Sequence, residues 1–148
     1  MKSELKIKGR VKATIRDAST NRILEERITE NLIVNVGKRH IADLLIGAAQ
    51  SSFRFCGVGS SNQQPSPSDT DLIQPIQPRK QVTDRFRTAS TATFSTFFSS
   101  QDNKGVWREC GLFTDQTEGV MLARALFTPE IVKDESKTVT LDWDIEVA

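Results

Sequence analysis

The feature that most constrains this chain is the strict alternation at its two ends. Near the carboxyl terminus, Val139, Leu141, Trp143, Ile145 and Val147 take the odd positions, and Thr140, Asp142, Asp144 and Glu146 the even ones. A period of two puts these sets on opposite faces of an extended strand, whereas a helix would mix them. The opening segment repeats the pattern with the opposite charge. Leu5, Ile7, Gly9, Val11, Ala13 and Ile15 alternate with Lys6, Lys8, Arg10, Lys12, Thr14 and Arg16. The two terminal strands are therefore expected to pair, with the basic residues facing Asp142, Asp144 and Glu146 across a solvated face. Burying a large apolar side chain is worth ~1.5–3 kcal/mol, an opposite-charge cross-strand pair only ~0.2–1 kcal/mol. Burial makes the sheet, and charge selects partner and register.

Between the ends, turn formers at 17–22 separate the first strand from an extended run at 23–34, which predicts a hairpin. Ile41, Leu44 and Leu45 then recur at helical spacing. With Asn35 as N-cap and Gly47 just beyond the end, one short helix is expected over about 36–46. A strand at 53–59 leads into SSNQQPSPSD (60–69), too poor in apolar groups to pack by itself and expected to be mobile or to contact a partner. Pro75 and Pro78 make 73–80 irregular or an edge, because proline cannot donate to a ladder. Residues 82–99 return to strand composition, and strands at 106–113 and 120–127 follow, separated by a polar turn at 114–119. The expected fold is mainly β: a single domain over 1–148, an antiparallel sandwich or barrel-like sheet with one short helix and a polar loop at about 60–80.

Composition narrows the function. Lys plus Arg total 20 against 19 Asp plus Glu, so no general field draws in nucleic acid or an anionic membrane. The longest apolar stretches are too short to span a bilayer, and the amino terminus does not resemble a signal peptide, so synthesis and assembly in a cytoplasm are expected. Cys56 and Cys110 lack metal-ligand spacing and are expected to be free core thiols rather than a disulfide. The single histidine, His40, sits beside Lys38 and Arg39 and reads as solvated or capping. There is no G-x-S-x-G elbow, and Gly57-Val58-Gly59 lacks the third glycine and the lysine of a phosphate loop. The pairs Asp134-Glu135 and Asp142-Asp144 invite a metal or glycosidase reading, but Asp142 and Asp144 belong to a regularly alternating face. No catalytic, metal-binding or cofactor-binding residue is expected. Arg79-Lys80 and Arg85-Phe86-Arg87 form a small basic cluster. With near-zero net charge and no binding motif, an inter-subunit or lattice salt bridge is favoured there over nucleic acid.

The order of segments resembles a family of small virion proteins of tailed bacteriophages. The resemblance runs over most of the chain: NLIVNVGKRHIADLLIG (31–47), FCGVGSSNQQPSPSDTDL (55–72), STFFSSQDNKGVWRECGLF (95–113), MLARALF (121–127) and IVKDESKTVTLDWDI (131–145). Gly57, Gly59, Pro67, Asp69, Thr70 and Leu72 match one family pattern, and Asn103, Gly105, Glu109, Gly111, Leu112 and Phe113 another. Ser60-Ser61 replaces a Gly-Thr step, and Lys104 stands inside the Asn-Gly turn. The resemblance implies a particle component without catalytic residues, of a kind described as decoration, cement or tail-fibre-like proteins. A decoration or cement protein would bind the major capsid protein as a homotrimer on the outer capsid surface. That version is favoured because the chain lacks a coiled-coil or repetitive shaft. The alternative is a tail or baseplate component. Candidate lattice contacts are Lys6, Lys8, Arg10, Lys12, Arg79, Lys80 and Arg85. Candidate subunit contacts are Phe94, Phe97 and Phe98, which also read as core.

Overall fold

The computed structural model describes residues 6–148. Nine strands and one helix follow in the order β1 (Ile7–Asp17), β2 (Ile23–Ile33), α1 (Asn35–Leu45), β3 (Phe55–Gly59), β4 (Pro75–Gln81), β5 (Asp84–Thr88), β6 (Thr91–Phe98), β7 (Gly105–Phe113), β8 (Met121–Lys133) and β9 (Lys137–Val147). All pairings are antiparallel, and the sheet order is β4-β3-β7-β8-β2-β1-β9-β6-β5. The sheet folds back on itself. One half is β2-β1-β9-β6-β5 and the other β4-β3-β7-β8, joined on one side where Leu32 and Ile33 pair with Arg124 and Ala123. On the other side Val82 donates to the carbonyl of Arg54, and Thr83 to that of Ser95, so the chain passes directly from one half to the other.

The terminal strands pair as their charges predict. Lys8 lies opposite Glu146, Arg10 opposite Asp144 and Lys12 opposite Asp142. Lys6 extends the ladder through two main-chain bonds with Ala148; Leu5 lies outside the described residues. The inward set is buried as the alternation requires: Val11, Ala13, Val139, Leu141 and Trp143 are fully inaccessible. They pack against Cys56, Val58, Cys110, Leu112, Ala123 and Ala125 from the other half. Trp107 stacks edge-on against Phe98, with ring centres 4.9 Å apart.

Several boundaries differ from the sequence expectation. The helix begins one residue early: Val34, not Asn35, is the N-cap, with no side-chain cap bond, and the Asn35 amide donates to the carbonyl of Pro67. Burial of Val34 decides this position. The helix ends as read, with Gly47 at φ 77 and its amide on the carbonyl of Leu44. Gly37 lets α1 lie against β8, since a Cβ there would come within 2.6 Å of the Leu122 carbonyl. The 82–99 stretch is two strands, turned at Ala89, which adopts a left-handed φ of 52. Strand β8 runs on to Lys133 because Pro129 falls where the β7–β8 register jumps between Trp107/Ile131 and Glu109/Leu126, so no ladder bond requires its missing amide. The helix is not long and apolar enough to cross a membrane.

Candidate functional site

The solvated face of the first half-sheet is arranged in columns of charge. β1 carries Lys8, Arg10 and Lys12, β9 carries Asp142, Asp144 and Glu146, and on the far side of β1 the register sets Glu30 beside Arg10 and Glu26 beside Thr14. A basic strand thus runs between two acidic ones. Arg10 lies 3.5 Å from Asp144, and Lys12 lies 3.5 Å from Glu26 rather than reaching Asp142. Asp144 also accepts from the Thr93 hydroxyl at 2.8 Å. These pairs are solvent-exposed, which limits each to a few tenths of a kcal/mol up to about 1 kcal/mol. Any partner using the basic strand must compete with acids already beside it.

The other candidate contacts separate into surface and interior. Arg79 is buried: its Nη1 donates to the carbonyls of Asp115 and Glu118 at 2.8 and 2.7 Å, its Nη2 lies 3.3 Å from Asp71, and its guanidinium stacks 3.6 Å above the Phe113 ring. This corrects its reading as a lattice donor, because its fork is already filled by the 114–119 turn. Lys80 is paired with Asp102 at 3.2 Å. Arg85 is exposed on β5, whose five residues are all exposed. Phe98 and Phe94 belong to the core, and their reading as subunit contacts is corrected accordingly. Phe97 points outward and is 45% exposed, with Phe86 on the same face at 51%.

A buried polar cluster under the 60–74 loop was not singled out from the sequence. Glu109 is fully buried on β7 and accepts main-chain bonds from Ser61, Ile73 and Gln74 at 3.1, 2.9 and 2.8 Å. Arg124, fully buried on β8, donates its Nε to Glu109 at 3.1 Å, and its Nη1 lies 3.4 Å from Asp69. Asp69 in turn accepts from the Ser66 amide at 2.9 Å. One carboxylate therefore fixes both ends of the loop to the sheet. Leu72 closes the lid, packed with Phe113, Met121 and Val34. The loop expected to lack packing is held down by main-chain bonds to a single acid. Part of its signal was present: Arg124 is the one charged residue of the apolar run MLARALF, and Glu109 abuts the apolar run CGLF on the strand before it. An acid and a base so placed on neighbouring strands are expected to be buried together.

A second device pins β4. Asn103, at φ 48, donates from its Nδ2 to the carbonyls of Ile76 and Pro78, both at 2.8 Å, while its own carbonyl accepts from Trp107 Nε1 at 2.7 Å. Lys133 caps the adjoining turn through the carbonyls of Ser99 and Asp102. The remaining reactive groups are enclosed or structural. Cys56 and Cys110 are free and fully buried; burial pushes the Cys56 thiol up to about 12, and it accepts a hydrogen bond from Trp143 Nε1 at 3.3 Å. His40 Nε2 is bonded to the Ser51 carbonyl, and its ring meets Phe53 edge-on. Among the described residues no three or more His, Cys, Asp or Glu side chains form a group able to hold a metal ion. In comparisons with protein families, curated proteins and solved structures, the chain matches none.

Proposed function

We propose that this chain is a non-enzymatic structural component of a tailed-bacteriophage particle, a decoration or cement protein bound to the major capsid protein on the outer capsid surface as a homotrimer. The observation that carries the reading is where the residues of the phage-protein resemblance fall. Glu109 and Asp69 anchor the loop, and Leu72 seals it. Gly59 leaves room for the Glu109 carboxylate, which a Cβ would approach to 2.5 Å, and Gly111 leaves room for the Phe113 ring. Asn103 ties β4 to the sheet, and Gly105 follows with a φ of 146. The resemblance is thus carried by architectural residues, as suits a protein whose task is to hold a shape. Three amides and a guanidinium occupy the Glu109 carboxylate, so its bonds are spent on holding the loop.

Clamping is the mechanism this reading implies. Many copies, each bridging several lattice subunits through weak contacts, act at high effective concentration and oppose bursting of the shell. Arg85, Phe97 and the apolar tip of α1, with Leu45 83% and Ile46 79% exposed, are the surface groups open to such contacts. The test is addition of purified protein to particles stripped of it. Binding that raises the temperature at which the particles release their genome supports the reading; failure to bind, or binding without a shift, opposes it.

A further inference from the structure

We infer that the apolar tip of α1 seats in a depression at the start of β2 on a second copy of this chain, a head-to-tail contact that links successive molecules. Leu45 and Ile46 end the helix at 83% and 79% exposure. The tip is a fixed knob: Gly47 turns the chain away at φ 77, and the amides of Ala48 and Ala49 both return to the Asp43 carbonyl, at 2.8 and 3.1 Å. Leaving two large aliphatic side chains in water forgoes burial that a partner would recover. The receiving depression, of about 220 Å³, has Ile15 and Ile131 as its buried floor, with Leu24 and Val132 beside them at 45% and 48% exposure. Ile15 pairs with Glu25 and Arg16 with Ile23, so Leu24 is the extra residue of a bulge, unpaired with β1. An apolar cavity of roughly 150 Å³ takes up benzene, so this depression has room for a branched aliphatic side chain. The two depressions near the start of β1 have no exposed large apolar side chain in their walls.

Charge favours the same match. Two acids and two bases, Glu25, Arg27, Glu130 and Lys137, surround the depression. Glu25 is paired with Arg27, and Glu130 with Arg108. Lys137 feels Glu25 and Asp134 through space, but its Nζ rests on the Val132 carbonyl at 2.9 Å and makes no ion pair among the described residues. On the knob, Asp43 likewise makes no ion pair among the described residues, Arg39 one turn before it included, and the last turn holds no base. Asp43 and the negative pole of the helix dipole thus offer Lys137 the partner it lacks. Within one molecule the depression lies at the opposite end of β2 from the exit into α1, and knob and depression both stay exposed. A knob and a matching depression at different places on one chain make a heterologous contact, which closes into a ring or runs on as an array. Three copies closing such a ring would form the homotrimer of the particle reading. The inference rests on that reading for the number of copies alone, since self-association is measured on the purified chain.

The test is disulfide trapping in the full chain, with Ile46→Cys and Val132→Cys on separate molecules; Cys56 and Cys110 are fully buried and keep the background low. Mixed under mild oxidation, the two variants are expected to cross-link about tenfold faster than either does with itself. Adding Leu45→Asp to the first should slow trapping about tenfold. Lys137→Glu in the second should slow it about threefold, with recovery when Asp43→Lys is added to the first. The melting temperatures should not change. Faster cross-linking of Ile46→Cys with itself would set tip against tip, and equal rates in all three mixtures would mean random collision; either result overturns the inference. So does a Leu45→Asp chain that traps as fast as its parent but no longer binds stripped particles, because the partner of the tip is then the capsid lattice. Specific trapping by a chain that binds no particles upholds the inference and opposes the particle reading.

Discussion

At the scale of the residue, Glu109 carries the most structure per side chain. Removing it strands three main-chain amides and leaves the Arg124 guanidinium buried beside only Asp69. Breaking a buried pair by deleting one partner typically costs about 3–5 kcal/mol. Glu109→Ala is therefore expected to lose about that much stability in urea unfolding, with the 60–74 loop becoming open to proteolysis. A loss below about 1 kcal/mol would mean that the loop is held by Leu72 and its neighbours instead. Asp17 works at the surface. Its Oδ1 accepts from the amides and hydroxyls of Ser19 and Thr20, and these bonds, the Ser19 hydroxyl foremost, hold its carboxyl down to about 2. A depressed carboxyl stabilises the fold above its ordinary value of 3.8 and loses that contribution as pH falls through about 2. The acid-unfolding curve of Asp17→Asn should be flatter than the parent's between these values. Superimposable curves would show that the turn bonds do not depend on the charge.

At the scale of the element, the terminal strands were legible and the middle of the chain was less so, for physical reasons. The β1–β9 pairing could be read because alternation and charge point to the same partners, while the residue-by-residue register came only with the structure. The β5–β6 turn at Ala89 was missed because alanine gives no turn signal, and its left-handed backbone follows from the pairing of Thr88 with Thr91 around it. The Pro129 bulge was missed because a proline inside a strand ordinarily argues against that strand. The buried Glu109–Arg124 pair was missed because alternation ranks residues by polarity, and a buried acid reads as a surface residue until its partner on the next strand is seen. Charge-selected register has a direct test. Arg10→Glu and Asp144→Arg should each destabilise the protein and together restore part of the loss, with a coupling of about 0.2–1 kcal/mol in a double-mutant cycle. Zero coupling would leave burial alone to set the register.

At the scale of the whole molecule, each free edge of the folded sheet is blunted. β4 carries Pro75 and Pro78, β5 is short and carries Asp84, Arg85 and Arg87, and the part of β2 beyond its pairing with β8 carries Glu25, Glu26 and Glu30. Such edges resist uncontrolled strand addition, so a molecule built this way would attach through faces, tips and clefts. That suits a protein present in many ordered copies on a particle, and it makes stoichiometry the decisive quantity. The measurement is the copy number of this chain relative to the major capsid protein in purified particles, by quantitative gel or mass spectrometry. The account predicts a ratio near one. A ratio of a few per hundred or less would contradict it and place the chain in the tail or baseplate.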